Sequence, residues 1–299
     1  MTQHVIKIGG SCLADLGSLD QLVKISSAWP NSIIVVSAFK GITDSLYRSY
    51  NSNERFGYVE NLIRSYSVEL SKLQVGSPEK LFHRILSMIR FNNFEDFEKG
   101  IMNCDQDFYV SLGERISGAV CTIFLERYTP TSYLDSFDTG IFIRKYEEES
   151  TIDLKKSISS WNDEFRNSIG KTTIITTGFY GIGEDGEVAI AGRNSSDYIS
   201  SVIALKVRSE KLILFKDVDG IYPADPNKFE VKSPIKEMDY DTAMNFAIEG
   251  KIIHPDAIRV CKGYNIKMEI YGYFNLKKGT TILNPDSYQE GEYSFPETF

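Results

Sequence analysis

Residues 191–198 read AGRNSSDY, and they place a guanidinium, an amide, two hydroxyls and a carboxylate directly ahead of Ile199, Val202 and Ile203. Those apolar residues have helical spacing, so the polar cluster stands at a helix N-terminus, where unpaired N–H groups and aligned peptide dipoles favour an anion. A planar guanidinium such as that of Arg193 suits a carboxylate, while Asp197 suits a cation. In KIGGS, residues 7–11, two glycines let the backbone come close to a ligand, and Lys7 can carry positive charge to a phosphate. LFKDVDGIYPADP, residues 214–226, sets Asp217, Asp219, Gly220, Tyr222 and Asp225 just beyond an apolar strand, at the sheet edge where open α/β folds bind ligands. EGKIIHP, residues 249–255, puts Lys251 behind a glycine at the end of a helical pattern, where it either caps that helix or reaches a nucleotide. Four cysteines and three histidines lie scattered with no CxxC pair, which suggests neither a zinc site nor a disulfide framework.

The elements that must position these groups alternate between strand and helix. HVIKI ends in Gly9 and Gly10 and is followed by helical spacing at Leu19, Leu22 and Val23. SIIVVSA, TTIITTGF and KLILFKDV are apolar on both faces, as strands of a covered, mainly parallel sheet must be. Residues 54–101 carry long helical patterns, with Leu62, Ile63, Tyr66 and Leu70 on one face and Leu81, Ile85 and Ile89 on another. SLGERISGAVCTIFLERY is predicted as a helix with Gly113 and Glu114 near its N-terminus. GIGEDG satisfies GxGxxG, but EVAIAG behind it alternates like a strand, so it reads as a hairpin with a type I′ turn at Asp185-Gly186. No GxxxxGK[ST] is present. Tyr198 and Phe179 read as packing residues, and His254 as a structural partner of the turn at Pro255.

A chain of 299 residues with net charge −8 lacks the basic surface that a nucleic-acid partner requires and has room for one large two-lobed domain. No signal segment is visible, and apolar stretches such as SIIVVSAF are too short to span a bilayer. The expectation is a soluble, cytoplasmic protein with reduced thiols and small-molecule partners, ending in a loosely held acidic tail at residues 285–299.

Taken together, KIGGS, VVSAFKGITDSL, SLGERISGA, TGFYG, GRNSSDY, DVDGIYPADP and GKIIHP resemble, in order and spacing, the catalytic domain of aspartate kinases in the amino acid kinase family. The resemblance runs from Lys7 to about Ile282. It implies an α/β fold, a three-layer α/β/α sandwich in two lobes. Residues 1–178 would form the substrate lobe, with a helical elaboration at 54–101, and residues 179–284 the ATP lobe. It further implies transfer of the γ-phosphoryl group of ATP to the β-carboxylate of L-aspartate, with Mg²⁺ held mainly by the nucleotide, in a homodimer. A carboxylate with a reference pKa of about 3.9 is already ionised, so alignment and charge compensation are needed rather than a base.

By the same resemblance, Lys7 stabilises the transferring phosphoryl group and Gly9, Gly10 and Ser11 line the phosphates. Ser37 and Thr43 hold the β-carboxylate, with Ser196 beside them. Glu114 takes the α-ammonium, Arg193 pairs with the α-carboxylate, and Asp197 meets the ammonium and organises Lys7. Lys216, Asp217, Tyr222, Asn227 and Lys251 fall at nucleotide contacts. This chain departs from the family pattern at Ser195 (usually glycine), Ser11 and Cys12 (usually threonine and serine), Lys40, Lys216 (usually threonine) and Asn227 (usually arginine, for which Lys228 can substitute). Ser195 is expected to narrow the substrate pocket. A different amino acid or acidic metabolite as acceptor, or a noncatalytic nucleotide-binding subunit, are the alternatives. No regulatory ACT domain follows residue 284, so no feedback inhibition by lysine or threonine is expected through this chain.

Overall fold

The computed structural model describes residues 3–147, 149–192, 194–223, 233–250 and 252–284. The aliphatic run Val5–Ile8 forms β1 with all four positions buried, followed by α1 (Leu19–Ala28), β2 (Ile33–Val36) and α2 (Ile42–Ser49). The predicted helical elaboration comprises α3 (Arg55–Lys72), α4 (Pro78–Met88) and α5 (Phe94–Asn103), and leads into the central helix α6 (Gln106–Leu125). Local chemistry starts these helices. Pro78 occupies the first turn of α4, Asn93 caps α5 by accepting from Asp96 N at 2.9 Å, and Asp105 caps α6 by accepting from Phe108 N at 2.8 Å. Then come β3 (Thr131–Tyr133), α7 (Ser136–Thr139), β4 (Ile143–Lys145), β5 (Ser150–Ile152), α8 (Leu154–Ser159), α9 (Asp163–Ser168) and β6 (Thr173–Thr177). The remainder is β7 (Tyr180–Ile182), β8 (Val188–Ile190), α10 (Ser196–Lys206), β9 (Lys211–Lys216), β10 (Glu237–Met238), α11 (Tyr240–Gly250), α12 (Pro255–Gly263), β11 (Lys267–Gly272) and β12 (Lys278–Ile282).

One sheet of eight strands, in the order β10-β12-β11-β9-β1-β2-β6-β3, runs through the molecule, and β11–β12 is its antiparallel pairing. β1 sits between β2 and β9, both parallel to it. Its two neighbours come from opposite halves of the chain, so the end of β1 is a point where the connections diverge to either side, and such points open a crevice in α/β sheets. Strand alternation separates two cores. Ile6, Ile8, Ile34, Val36 and Phe215 face α1 and the α3–α6 block, whereas Val5, Val35, Leu212, Leu214 and Ile270 face α10, α11 and α12.

Three local expectations change. Helix α6 begins at Gln106, so Glu114 lies in mid-helix rather than in the first turn. Gly113 is present for packing and not as a terminus, since a Cβ there would stand 3.2 Å from both Ala38 Cβ and Leu46 Cδ1. Helix α6 is also long and apolar enough, at 20 residues, to cross a membrane, contrary to the expectation from length; 94% of that window is buried inside the fold, as a core helix requires. The hairpin β7–β8 forms, but only Gly186 of the Asp-Gly pair is left-handed (φ +87°). Gly183 N donates to Glu187 O at 2.7 Å and Gly186 N to Gly183 O at 3.2 Å, a three-residue loop in place of the type I′ turn.

The loop after β9 lies directly on β12. A Cβ at Gly279 would fall 1.7 Å from Asp219 O, and Ile221 N donates to Thr280 Oγ1 at 2.9 Å. Gly279→Ala should therefore cost about 2 to 3 kcal/mol in chemical denaturation through forced backbone displacement, while Gly263→Ala, with open space around it, should cost little. Equal stability of the two variants would contradict this close approach.

Candidate active site

Lys7 lies on the α10 face of β1, two residues beyond Val5, and pairs in register with Leu214 of β9. Lys216, two residues further along β9, shares that face. Both strands end above the N-terminus of α10, where Asp197 occupies the first turn. Lys7 Nζ stands 3.0 Å from Asp197 Oδ1 and Lys216 Nζ 2.8 Å from Oδ2, with His254 N 3.4 Å from Oδ2. Burial opposes the charge on Asp197, but the ammoniums of Lys216 and Lys7 overcome it and hold the carboxyl well below the usual carboxylate range. Burial likewise lowers the pKa of Lys216, against the pull of Asp197. In the turn after β1, Cys12 N donates to Gly9 O at 3.0 Å and Leu13 N to Gly10 O at 3.2 Å. A Cβ at Gly10 would stand 2.8 Å from Ala38 O, so only glycine lets this turn lie against the loop after β2.

A cavity of about 620 Å³ joins this corner to α6. Lys7, Gly9, Gly10, Ser11, Lys216 and Asp217 line its end at the glycine turn. Ser37, Thr43, Glu114, Ser196 and Asp197 line the rest. Ser37 Oγ donates to Ser196 Oγ at 3.1 Å, and Gly178 makes that corner possible, since a Cβ there would meet Ser196 Cβ at 2.6 Å. Glu114 is 3% exposed, its Oε2 has no hydrogen-bond partner, and burial pushes its carboxyl up to about 8 against a backbone hydrogen bond from Ala38. A second cavity, of about 530 Å³, opens at the other end of the sheet around Glu210, Lys267 and Glu269, away from all these motifs.

Not every expected residue joins the cavity. Tyr222 is half-buried and does not line it. Arg193, Asn227, Lys228 and Lys251 lie outside the described residues. Ser195 does not narrow the pocket: it is fully buried and absent from the cavity lining, and its hydroxyl donates to Gly192 O at 2.7 Å. Phe179, read as a packing residue, does line the cavity, in a left-handed conformation (φ +77°) that is strained for a side chain this large. Its carbonyl accepts from Ala191 N at 2.8 Å, which helps to hold it there. Tyr198 stacks on His254 with centroids 5.6 Å apart, and His254 caps α12 by accepting from Asp256 N at 3.2 Å. Asp44, inside VVSAFKGITDSL but given no role there, and Tyr47 of α2 also line the cavity; the helical spacing of Thr43 and Tyr47 is the signal that could have found the tyrosine.

Two lysines bracketing a buried aspartate, beside a glycine turn at the carboxyl edge of a mainly parallel sheet, define an α/β protein with a polar, charge-lined cavity at its sheet edge. Residues 3–272 match the profile of the Amino acid kinase family, and the chain belongs to that family. It is 26% identical over 290 residues to an aspartokinase of Chlamydia pneumoniae, covering 94% of this chain and 62% of that protein. It is 26% identical over 189 residues to an aspartokinase of Geobacillus stearothermophilus, covering 62% and 45%. Among solved structures, E. coli aspartokinase III in complex with aspartate and ADP superposes with a TM-score of 0.75 at 22% identity, covering 94% of this chain and 64% of that one. The UMP kinase of Ureaplasma parvum shares the fold at a TM-score of 0.51 and 14% identity, covering 95% and 99%. The chain spans less than two thirds of the length of these aspartokinases.

Proposed function

We propose that the chain transfers the γ-phosphoryl group of ATP to the β-carboxylate of L-aspartate, giving 4-phospho-L-aspartate and ADP. The observation that carries this reading is the buried, unpartnered Oε2 of Glu114 in the same cavity as the Lys7–Asp197–Lys216 cluster. An acceptor for an ammonium and a set of cations for phosphate in one chamber suit an amino acid and a nucleotide bound together. The similarity to aspartokinases, one of them solved in complex with aspartate and ADP, agrees with it.

In this reading the acceptor carboxylate attacks without a base. Ser37 and Thr43 orient it, Arg193 pairs with the α-carboxylate, and Lys7 offsets the charge of the moving phosphoryl group. Both oxygens of Asp197 face lysines, so the α-ammonium falls to Glu114. Tyr222, Asn227 and Lys251 would complete the nucleotide contacts, residues 1–178 the acceptor side and residues 179–284 the ATP side. In this reading Mg²⁺ would be held mainly by the nucleotide phosphates. The reading includes a cytoplasmic homodimer.

A second acceptor reading rests on Lys40, which is exposed at the cavity lining and favours a longer or more acidic acceptor than aspartate. Trapping ATP-dependent acyl phosphate with hydroxylamine across L-aspartate, L-glutamate, N-acetylglutamate and a no-acceptor control separates the two. Selective signal with aspartate is expected; signal with another acceptor alone would shift the assignment, and none with any acceptor would overturn it. Lys7→Ala should lower turnover by at least about 100-fold while the fold survives, because Asp197 and Lys216 remain a neutral pair.

A further inference from the structure

Asp197 holds two ammoniums with one negative charge. Lys7 lies 3.0 Å from one oxygen and Lys216 2.8 Å from the other, and among the described residues no other carboxylate comes within ion-pairing distance of either lysine. The side chains are only 8% and 13% exposed. A cation withdrawn this far from water requires a compensating anion, and one carboxylate compensates only one lysine. The surplus positive charge faces the cavity, on the side where Gly9, Gly10 and Ser11 turn the backbone. A glycine turn of this kind presents N–H groups to an oxyanion. Asp217 lines the same end of the cavity but forms an ion pair with neither ammonium, so the missing counter-charge lies in the ligand, at its phosphate end.

We infer that Lys216 is a second catalytic cation, reaching the phosphate chain from the β9 side while Lys7 reaches it from the β1 side, with Asp197 holding the two apart. The inference rests on the phosphotransfer reading above. In that step the bond from phosphorus to the bridging oxygen of ADP breaks as a bond to the acceptor carboxylate oxygen forms. The electron pair leaves on ADP, and the step itself transfers no proton. Lys216 stands where the family resemblance leads one to expect threonine, so the cation is a feature of this chain.

Lys216→Met is the test, with Lys216→Arg as its charge-conserving companion. The Met variant leaves the neutral Lys7–Asp197 pair, so its melting temperature should stay within about 3 °C of the parent. Its kcat should fall at least about 100-fold, with the KM for the amino-acid acceptor changed less than about threefold and weaker binding of the β,γ-imido analogue of ATP by calorimetry. Lys216→Arg should recover part of kcat. A Met variant with kcat within about threefold of the parent and unchanged analogue affinity would overturn the inference. If the unaltered protein phosphorylates no acceptor, the phosphotransfer reading falls. The analogue affinities then decide whether Lys216 meets the phosphates: equal affinities reject it.

Discussion

Glu114→Gln should yield a protein that is more stable at pH 8 and nearly inactive. In the folded chain burial raises the carboxyl from 4.5 to about 8, so the native state keeps a proton that the unfolded state releases. Stability from this group is present below about pH 4.5 and is lost as pH rises through about 8, by a few kcal/mol, because the unfolded chain then binds fewer protons. Glutamine has no charge to desolvate, so the variant should not show this loss. Urea denaturation at pH 5.5 and pH 8 reads the difference directly. Activity moves the other way, since removal of a buried charged partner for an ammonium should lower kcat/KM for the acceptor at least about 100-fold. In the parent, acceptor affinity should rise with pH between about 5 and 8 as Glu114 becomes free to ionise, whereas in the variant it should be flat over that range. Matching pH profiles for parent and variant would remove Glu114 from the acceptor site.

Asp197→Asn is expected to damage both stability and catalysis. The carboxyl lies below its usual range in the folded state, so its stabilisation is present above the unfolded value near 3.8 and is lost as pH falls below it. Asparagine leaves Lys7 and Lys216 buried side by side without a counter-charge, which should cost about 3 to 5 kcal/mol. Because the pKa of Lys216 is already lowered by burial, part of that loss should return at alkaline pH, where this lysine gives up its proton. Turnover should fall at least about 1000-fold, as both cations lose the group that sets their positions. Denaturation across pH 4 to 10, beside the kinetics, checks both parts. A variant as stable as the parent at pH 7 would show that the cluster is not held by charge.

Much of the fold was legible because it is written in short-range pattern. The runs VIKI, IIVV, TIITT and KLILFK are strands in the structure, since aliphatic residues on both faces suit a sheet covered on both sides. The block at 54–101 is helical for an equally local reason, its 3.6-residue periodicity. KIGGS and GRNSSDY reach the same cavity because each joins a strand or helix end to a turn, which brings Lys7, Gly9, Gly10 and Ser11 from one and Asn194, Ser196 and Asp197 from the other to its lining.

Other features depended on partners far away in the chain. Gly113 looked like a helix start, but its neighbours are Ala38 and Leu46. Ser195 looked like a pocket side chain, but its hydroxyl donates to Gly192 O instead. Phe179 lines the cavity through a left-handed backbone that no propensity would select. By itself the sequence determined the strands, the helices, the glycine turns and which residue types are available for phosphate and ammonium. The tertiary structure alone decided that Lys216 joins Lys7 on Asp197 and that one oxygen of Glu114 is left without a partner, because charge pairing and desolvation depend on strand order and register across the whole sheet, and these are settled by contacts between segments as far apart as Cys12 and Phe215, 203 residues along the chain.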